Sequence, residues 1–163
     1  MKKTKQYLHG KIGLCAADVL WLSVIFSQSM RTAPESTVYS SRLTLLLQWL
    51  LQTEQPVDAL EVFVRKAAHF AEFFLLGALI AATAAVFAAA QKKQLRFGGS
   101  IHAAAAGLLC ALCDETLQLF YEGRSPQISD VWLDWAGYLC GLILCLFCAK
   151  SVVKSAKKRY DNK

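Results

Sequence analysis

Acidic side chains occur inside stretches of this sequence that are otherwise almost wholly apolar: Asp18, Glu72, Asp114, Glu115 and Asp134. A charged group at the centre of a bilayer costs about 2.5 to 3.5 kcal/mol on insertion scales, so such residues face the protein interior and have partners. Grouped carboxylates can transfer protons, act beside cations that bind a phosphate, or hold a metal ion.

Other polar residues lie in or near the same apolar stretches, and together with most of these acids they form a candidate site. The candidate site residues are Lys66, His69, Glu72, Asp114, Glu115, Gln118, Arg124, Asp130 and Asp134. Arg124 could hold a phosphate through a forked contact, and Lys66 could do so as a point charge. His69 could exchange a proton with a neighbouring carboxyl group. The set therefore suits recognition of a phosphate-bearing molecule, with acid and base groups beside it.

The composition excludes most soluble functions. Of the 163 residues, 55% are hydrophobic and 18% are charged, and the mean hydropathy is +0.35. These values argue against a soluble enzyme and against a disordered chain. The net charge of +6 does not indicate nucleic-acid binding, because the basic residues lie at the ends of apolar blocks, where membrane topology explains them.

Four apolar blocks have the length that a helix needs to cross a bilayer. They are residues 12–29, 68–90, 97–121 and 131–149. The sequence therefore predicts an all-α polytopic membrane protein, a single domain over residues 1–163 with a bundle of four transmembrane helices. A signal peptide is the less favoured interpretation of the first block, because Asp18 interrupts it.

The connection over residues 30–67 contains a leucine-rich run at residues 43–51. This run is too short to cross a bilayer but suits a helix that lies at its surface. We therefore expect a short interfacial or re-entrant helix there. Pro56 and the acidic Asp58 favour the start of a helix, so the second long helix should begin near Val57, before it enters the membrane.

The distribution of lysine and arginine predicts the orientation. Most of the 18 basic residues lie in three segments: the N-terminal leader, the link with Lys92, Lys93 and Arg96, and the tail at residues 150–163. An even number of crossings puts all three on one side, and the positive-inside rule makes that side the cytoplasm. Both termini should then be cytoplasmic, in the cell membrane, with the candidate residues near the outer face.

Two helix faces combine acidic residues with small ones. An i, i+4, i+7, i+11 spacing relates Gly107, Ala111, Asp114 and Gln118 on one helix, and Asp130, Asp134, Gly137 and Gly141 on another. Small residues let helices approach closely. We expect each face to pack tightly in its inner half and to border a polar pocket in its outer half.

At these residues the sequence resembles the VanZ-like family of small bacterial membrane proteins. The similar stretches are Phe26-Ser27-Gln28-Ser29, Lys66-x-x-His69-x-x-Glu72-Phe73-x-x-x-Gly77, Asp114-Glu115-x-x-Gln118-x-x-x-x-Gly123-Arg124, and Asp130-x-x-x-Asp134-x-x-Gly137-x-x-x-Gly141. The chain departs from the family pattern at Phe26-Ser27, where two serines are frequent, at Phe73, where tyrosine is common, and at Asp134, where asparagine is common.

The resemblance implies a role in the cell envelope, since the founding member of the family is linked to resistance to the lipoglycopeptide teicoplanin. A polar pocket open to the outer leaflet suits an amphiphile whose head enters the pocket while its tail stays in lipid. We therefore expect the protein to bind or process a lipid-linked or lipid-like envelope molecule. We expect no cofactor and no nucleic-acid partner.

Several alternatives stay open from the residues alone. The acids could be structural ion pairs, in which Lys66 and Arg124 compensate Glu72, Asp114 or Glu115. The protein could be a non-enzymatic accessory or sequestering protein, or a proton-linked transporter that uses its intramembrane acids. A metal site is a weaker interpretation, because no His-rich spacing is present. Asp18 lies apart from the others and is expected to make a structural hydrogen bond.

Overall fold

The fold is wholly α-helical over the residues that the computed structural model describes, which are 2–52, 56–91 and 98–161. Side chains are described for residues 10–38, 40–50, 52, 56–91 and 101–149. The helices are α1 (Lys2–Ser29), α2 (Ala33–Leu51), α3 (Val57–Ala90), α4 (Gly98–Gln118) and α5 (Ile128–Asp161). The predicted all-α class is confirmed.

Within the described residues, three helices are long and apolar enough to cross a membrane: Gly10–Ser29 of α1, Val57–Ala90 of α3 and Ile128–Ala149 of α5. Large apolar side chains are exposed on all five helices, as expected of a protein surrounded by lipid. These features support an all-α membrane protein. A fourth crossing by α4 and the cytoplasmic location of both termini stay predictions, and Lys92, Lys93 and Arg96 lie outside the described residues.

The observed ends of α3 and α4 can be compared with the helix ends that the apolar blocks predict. As predicted, α3 begins at Val57. In contrast, α4 ends at Gln118, whereas the third block was expected to continue to residue 121. The backbone N–H groups of Leu119, Phe120 and Tyr121 donate to carbonyls three residues earlier, so the chain turns there and the helix stops.

The last helix is longer than its apolar block. We expected a crossing at residues 131–149 followed by a basic tail, but α5 extends from Ile128 to Asp161. The tail contains lysine and arginine, which are good helix formers and let the backbone continue as a helix after the apolar residues end.

The first connection contains a helix, α2, that is also longer than the leucine-rich run. It begins at Ala33 because Thr32 and Glu35 form its N-terminal cap: the Thr32 N–H and hydroxyl both donate to Glu35 Oε2 at 3.0 Å. These hydrogen bonds lower the pKa of Glu35 below its usual value. The helix ends before Gln52, which has a left-handed conformation with φ 48°. Its location at the membrane surface stays a prediction.

Helices α3 and α5 approach each other at backbone distance. A methyl group at Gly137 would lie 2.5 Å from the carbonyl oxygen of Phe70, and one at Gly141 would overlap the carbonyl of Phe74. Only glycine permits this approach. The close packing that the Gly137-x-x-x-Gly141 spacing predicts is confirmed.

Tryptophan side chains join the other helices to this pair. Trp21 Nε1 on α1 donates to the carbonyl oxygen of Glu72 on α3 at 2.9 Å. Trp135 Nε1 on α5 donates to the carbonyl oxygen of Ala104 on α4, also at 2.9 Å. A carbonyl oxygen has two lone pairs, so it can accept the indole hydrogen bond and keep its hydrogen bond within the helix. These bonds fix α1 against α3 and α4 against α5.

Candidate functional site

The polar residues meet where the C-terminal ends of α1 and α4 adjoin the N-terminal parts of α2, α3 and α5. The centre of this site is His69 on α3. Its Nδ1 lies 3.9 Å from Asp114 Oδ2 on α4 and 3.9 Å from Asp134 Oδ1 on α5. Both aspartates have 0% exposure. The expected burial of both acids is confirmed, and three helices contribute one residue each.

Asp114 receives a hydrogen bond from the first helix. The Ser29 hydroxyl, which is fully buried, donates to Asp114 Oδ1 at 2.7 Å. Four helices therefore meet at this cluster. In contrast, Asp114 Oδ2, His69 Nδ1 and both carboxylate oxygens of Asp134 are buried and have no hydrogen-bond partner among the described residues.

Glu115 has a different role from its neighbour Asp114. Its Oε1 accepts a hydrogen bond from Gln118 Nε2 at 3.4 Å, and its Oε2 accepts one from the backbone N–H of Gln127 at 3.2 Å. Glu115 therefore fastens the start of α5 to the end of α4. The two adjacent acids therefore have different partners. Asp114 accepts from Ser29 inside the bundle, and Glu115 accepts from Gln118 and Gln127 at the end of the bundle.

The cations have partners that the sequence did not predict. Lys66 forms an ion pair with Asp130, not with Glu72, Asp114 or Glu115. Arg124 donates from Nη1 to Ser36 Oγ at 3.3 Å and from Nη2 to the Gln28 carbonyl at 3.2 Å. Within the described part of the chain, neither cation lies within 4.0 Å of Glu72, Asp114 or Glu115. The alternative in which these cations form direct ion pairs with Glu72, Asp114 or Glu115 is therefore not supported, although the charge of Arg124 still acts on Asp114 and Glu115 at longer range.

Two recesses open on either side of His69 and Arg124. The first has a cavity volume of about 20 Å³ and is formed mainly by α3, α4 and α5. Its lining includes Lys66, His69, Glu115, Gln118, Arg124 and Asp130. The second is larger, with a cavity volume of about 160 Å³; it lies between α1, α2 and α3, and Glu72 lines it. All nine candidate residues therefore lie in the recesses or in the buried cluster next to them.

Sequence reasoning missed residues of α2 and α3 that complete the recesses. Arg65 lines both of them, and Ser36 and Ser40 line the second. Ser40 also donates to Glu61 Oε1 at 2.9 Å. The spacing of Ser36 and Ser40 by four residues could have signalled a polar face on α2. Nothing in the sequence singled out Arg65, because it is a second basic residue directly before Lys66, which was already assigned to the site.

Asp18 lies apart from this site. Its Oδ2 accepts a hydrogen bond from Thr83 Oγ1 at 2.8 Å, which joins α1 to α3. Asp18 precedes Ser29 by three helical turns, or about 16 Å along α1. The expected structural hydrogen bond is confirmed, and a continuous path of acids through the bundle is not supported.

Ser29→Ala should destabilise the bundle. The variant removes the hydrogen bond of the buried Ser29 hydroxyl to Asp114 Oδ1, and leaving a buried acceptor unsatisfied costs about 1–3 kcal/mol. We expect a lower melting temperature of the purified protein. Ser27→Ala is the matched control, because the exposed Ser27 hydroxyl donates only to the Val24 carbonyl of its own helix. Equal melting temperatures for both variants would contradict the prediction.

A family model described as VanZ/LLP1 matches residues 15–149, which include all nine candidate residues. No curated protein and no solved structure matches the chain.

Proposed function

The chain belongs to the VanZ/LLP1 family, and from this membership and the site described above we propose that it binds a lipid-like or lipid-linked molecule of the cell envelope. In this proposal α1, α3, α4 and α5 cross the cell membrane, and both termini are cytoplasmic. The polar recesses then face the outer leaflet. The head group of the amphiphile enters a recess while its apolar tail stays in the bilayer.

The observation that carries this proposal is the mixed lining of the larger recess. Leu43, Val64 and Ala68 supply apolar surface, while Arg65 and Arg124 supply positive charge. A site for a small ion needs no such apolar wall, and a site for a purely apolar ligand needs no cations. The combination suits a ligand with an anionic head and an apolar tail.

The surface of α2 extends the apolar wall. Leu45, Leu46, Trp49 and Leu50 are all more than half exposed, and Trp49 is 74% exposed. Leucine and tryptophan on one short helix are typical of the membrane interface. A lipid tail could therefore follow α2 from the recess into the outer leaflet.

The cations suit a phosphate in the head group. Arginine forms paired hydrogen bonds to phosphate oxygens, and both Arg65 and Arg124 face the larger recess. The acidic cluster lies beside them and could act on a bound head group, so a reaction and binding alone both fit the residues. The Glu115→Gln variant separates these cases, since an enzyme would keep its affinity and lose turnover.

Native mass spectrometry of the full chain in mild detergent tests the proposal. We expect the wild type to retain one lipid per chain, and Arg65→Gln to lower that occupancy by about tenfold, the size of one charge-assisted contact. Arg42→Gln is the matched control, because Arg42 lies on α2 and does not line the larger recess. A wild type without retained lipid, or equal occupancy in both variants, would contradict the proposal.

Teicoplanin provides a second ligand for the same measurement. A lipoglycopeptide combines a polar body with an apolar chain, which is the ligand class that we propose. If the family's link to glycopeptide resistance extends to this chain through direct binding, added teicoplanin should displace the retained lipid. Unchanged lipid occupancy would exclude direct binding of teicoplanin at this site.

A further inference from the structure

The buried cluster of His69, Asp114 and Asp134 has the composition of a metal site. Each residue offers one ligand atom, and these atoms all lie within 4.8 Å of one another. The imidazole nitrogen lies 3.9 Å from one oxygen of each aspartate. The three residues come from α3, α4 and α5, so the arrangement depends on the tertiary fold and not on a local sequence motif.

The unpartnered atoms of this cluster indicate that something else belongs there. Asp114 and Asp134 are fully buried, yet Asp134 has no hydrogen-bond partner on either oxygen within the described residues, and Asp114 Oδ2 has none. The ammonium group of Lys66, on the same helix as the histidine of the cluster, is paired with Asp130. The charge of Arg124 acts on Asp114, so Asp134 is the carboxylate without a compensating charge among the described residues. Such a group is unfavourable, because burial removes its hydration.

We propose that His69, Asp114 and Asp134 bind a divalent first-row cation of the zinc type. Zinc accepts histidine nitrogen and carboxylate oxygen as ligands, at about 2.0–2.2 Å. Ligand atoms around such an ion lie about 3–4 Å apart, so the observed spacing needs side-chain movements of less than about 1 Å. The ion supplies a positive charge in direct contact with both aspartates, which Arg124 does not, because no cation lies within 4.0 Å of either carboxylate among the described residues apart from His69.

The site would hold the ion with an open coordination position. Three protein ligands are typical of sites that also accept a water or a ligand oxygen, whereas structural zinc sites have four. His69 lines both recesses, so an oxygen entering from either one could complete the coordination. This inference goes beyond the proposed lipid site, whose cations are Arg65 and Arg124, and either proposal can fail alone.

Metal binding is tested with the full chain in nanodiscs of phosphatidylcholine, which carries no net charge. We expect equilibrium dialysis against Zn²⁺, followed by elemental mass spectrometry, to find one ion per chain. Asp134→Asn removes the ligand charge with little change of shape and should weaken binding by at least about tenfold. Asp18→Asn is the matched control, since it removes an intramembrane acid elsewhere while its amide oxygen can still accept from Thr83.

Thermal unfolding gives a second measurement. A ligand that binds only the folded state raises the melting temperature by mass action, so Zn²⁺ should stabilise the wild type and Asp18→Asn but not Asp134→Asn. If Asp134→Asn does not fold, His69→Gln replaces it in both measurements. A wild type that binds no Zn²⁺, or ligand variants that bind it as the wild type does, would overturn the proposal and leave water or a shared proton between the aspartates.

Discussion

Gly141→Leu is expected to prevent the bundle from assembling. A single methyl group at Gly141 already overlaps the carbonyl of Phe74, and one at Gly77 overlaps the carbonyl of Tyr138. The overlapped atoms are helix backbone, so no side chain can rotate to make room. Even Gly141→Ala should lower the free energy of unfolding by about 1–3 kcal/mol, and leucine should force α3 and α5 apart.

Size-exclusion chromatography and thermal unfolding of the purified variants check this expectation. Gly141→Leu should give aggregated protein without a cooperative transition, and Gly141→Ala a folded protein with a lower melting temperature. Gly13→Leu is the matched control, because a methyl group at Gly13 meets nothing within 4 Å. A Gly141→Leu protein as stable as Gly13→Leu would show that the α3–α5 contact is not essential.

The spacing of residues along single helices predicted which faces are buried. Ala111 and Asp114 are fully buried and Gln118 is 6% exposed, as their shared face requires. The close approach at Gly137 and Gly141 follows from the same periodicity. These features could be predicted because helical geometry fixes which residues share a face, whatever the helix packs against.

Partners across helices could not be predicted in the same way. Lys66 pairs with Asp130, and Arg124 contacts the carbonyl of Gln28 and the hydroxyl of Ser36. Which side chains meet depends on the rotation and tilt of one helix against another, and periodicity within each helix fixes neither. Residues could therefore be assigned to the site, but their pairs could not.

Helix lengths differed from apolar block lengths for a related reason. Hydropathy reports where a residue prefers lipid to water, whereas a helix continues as long as its backbone hydrogen bonds do. The lysine-rich end of α5 continues beyond the apolar block, and α2 begins ten residues before its leucine-rich run, at the cap formed by Thr32 and Glu35.

Arg124→Gln is expected to lower the affinity for the proposed amphiphile by about 10–100-fold, because hydrogen bonds to charged groups contribute about 1.5–3 kcal/mol. The guanidinium lines both recesses. It also joins the carbonyl of Gln28 at the end of α1 to Ser36 at the start of α2. The substitution should therefore also loosen α2, which limited proteolysis would detect as faster cleavage within residues 30–56.

Arg124→Lys separates the two roles of this side chain. Lysine keeps the positive charge but lacks the planar fork that reaches both Gln28 and Ser36. If the charge binds the head group, Arg124→Lys should retain more of the affinity than Arg124→Gln, although both variants are cleaved faster than the wild type. If Arg124 only positions α2, the two variants should lose affinity equally. Native mass spectrometry beside limited proteolysis measures both effects, and equal affinity losses would contradict a direct contact between Arg124 and the ligand.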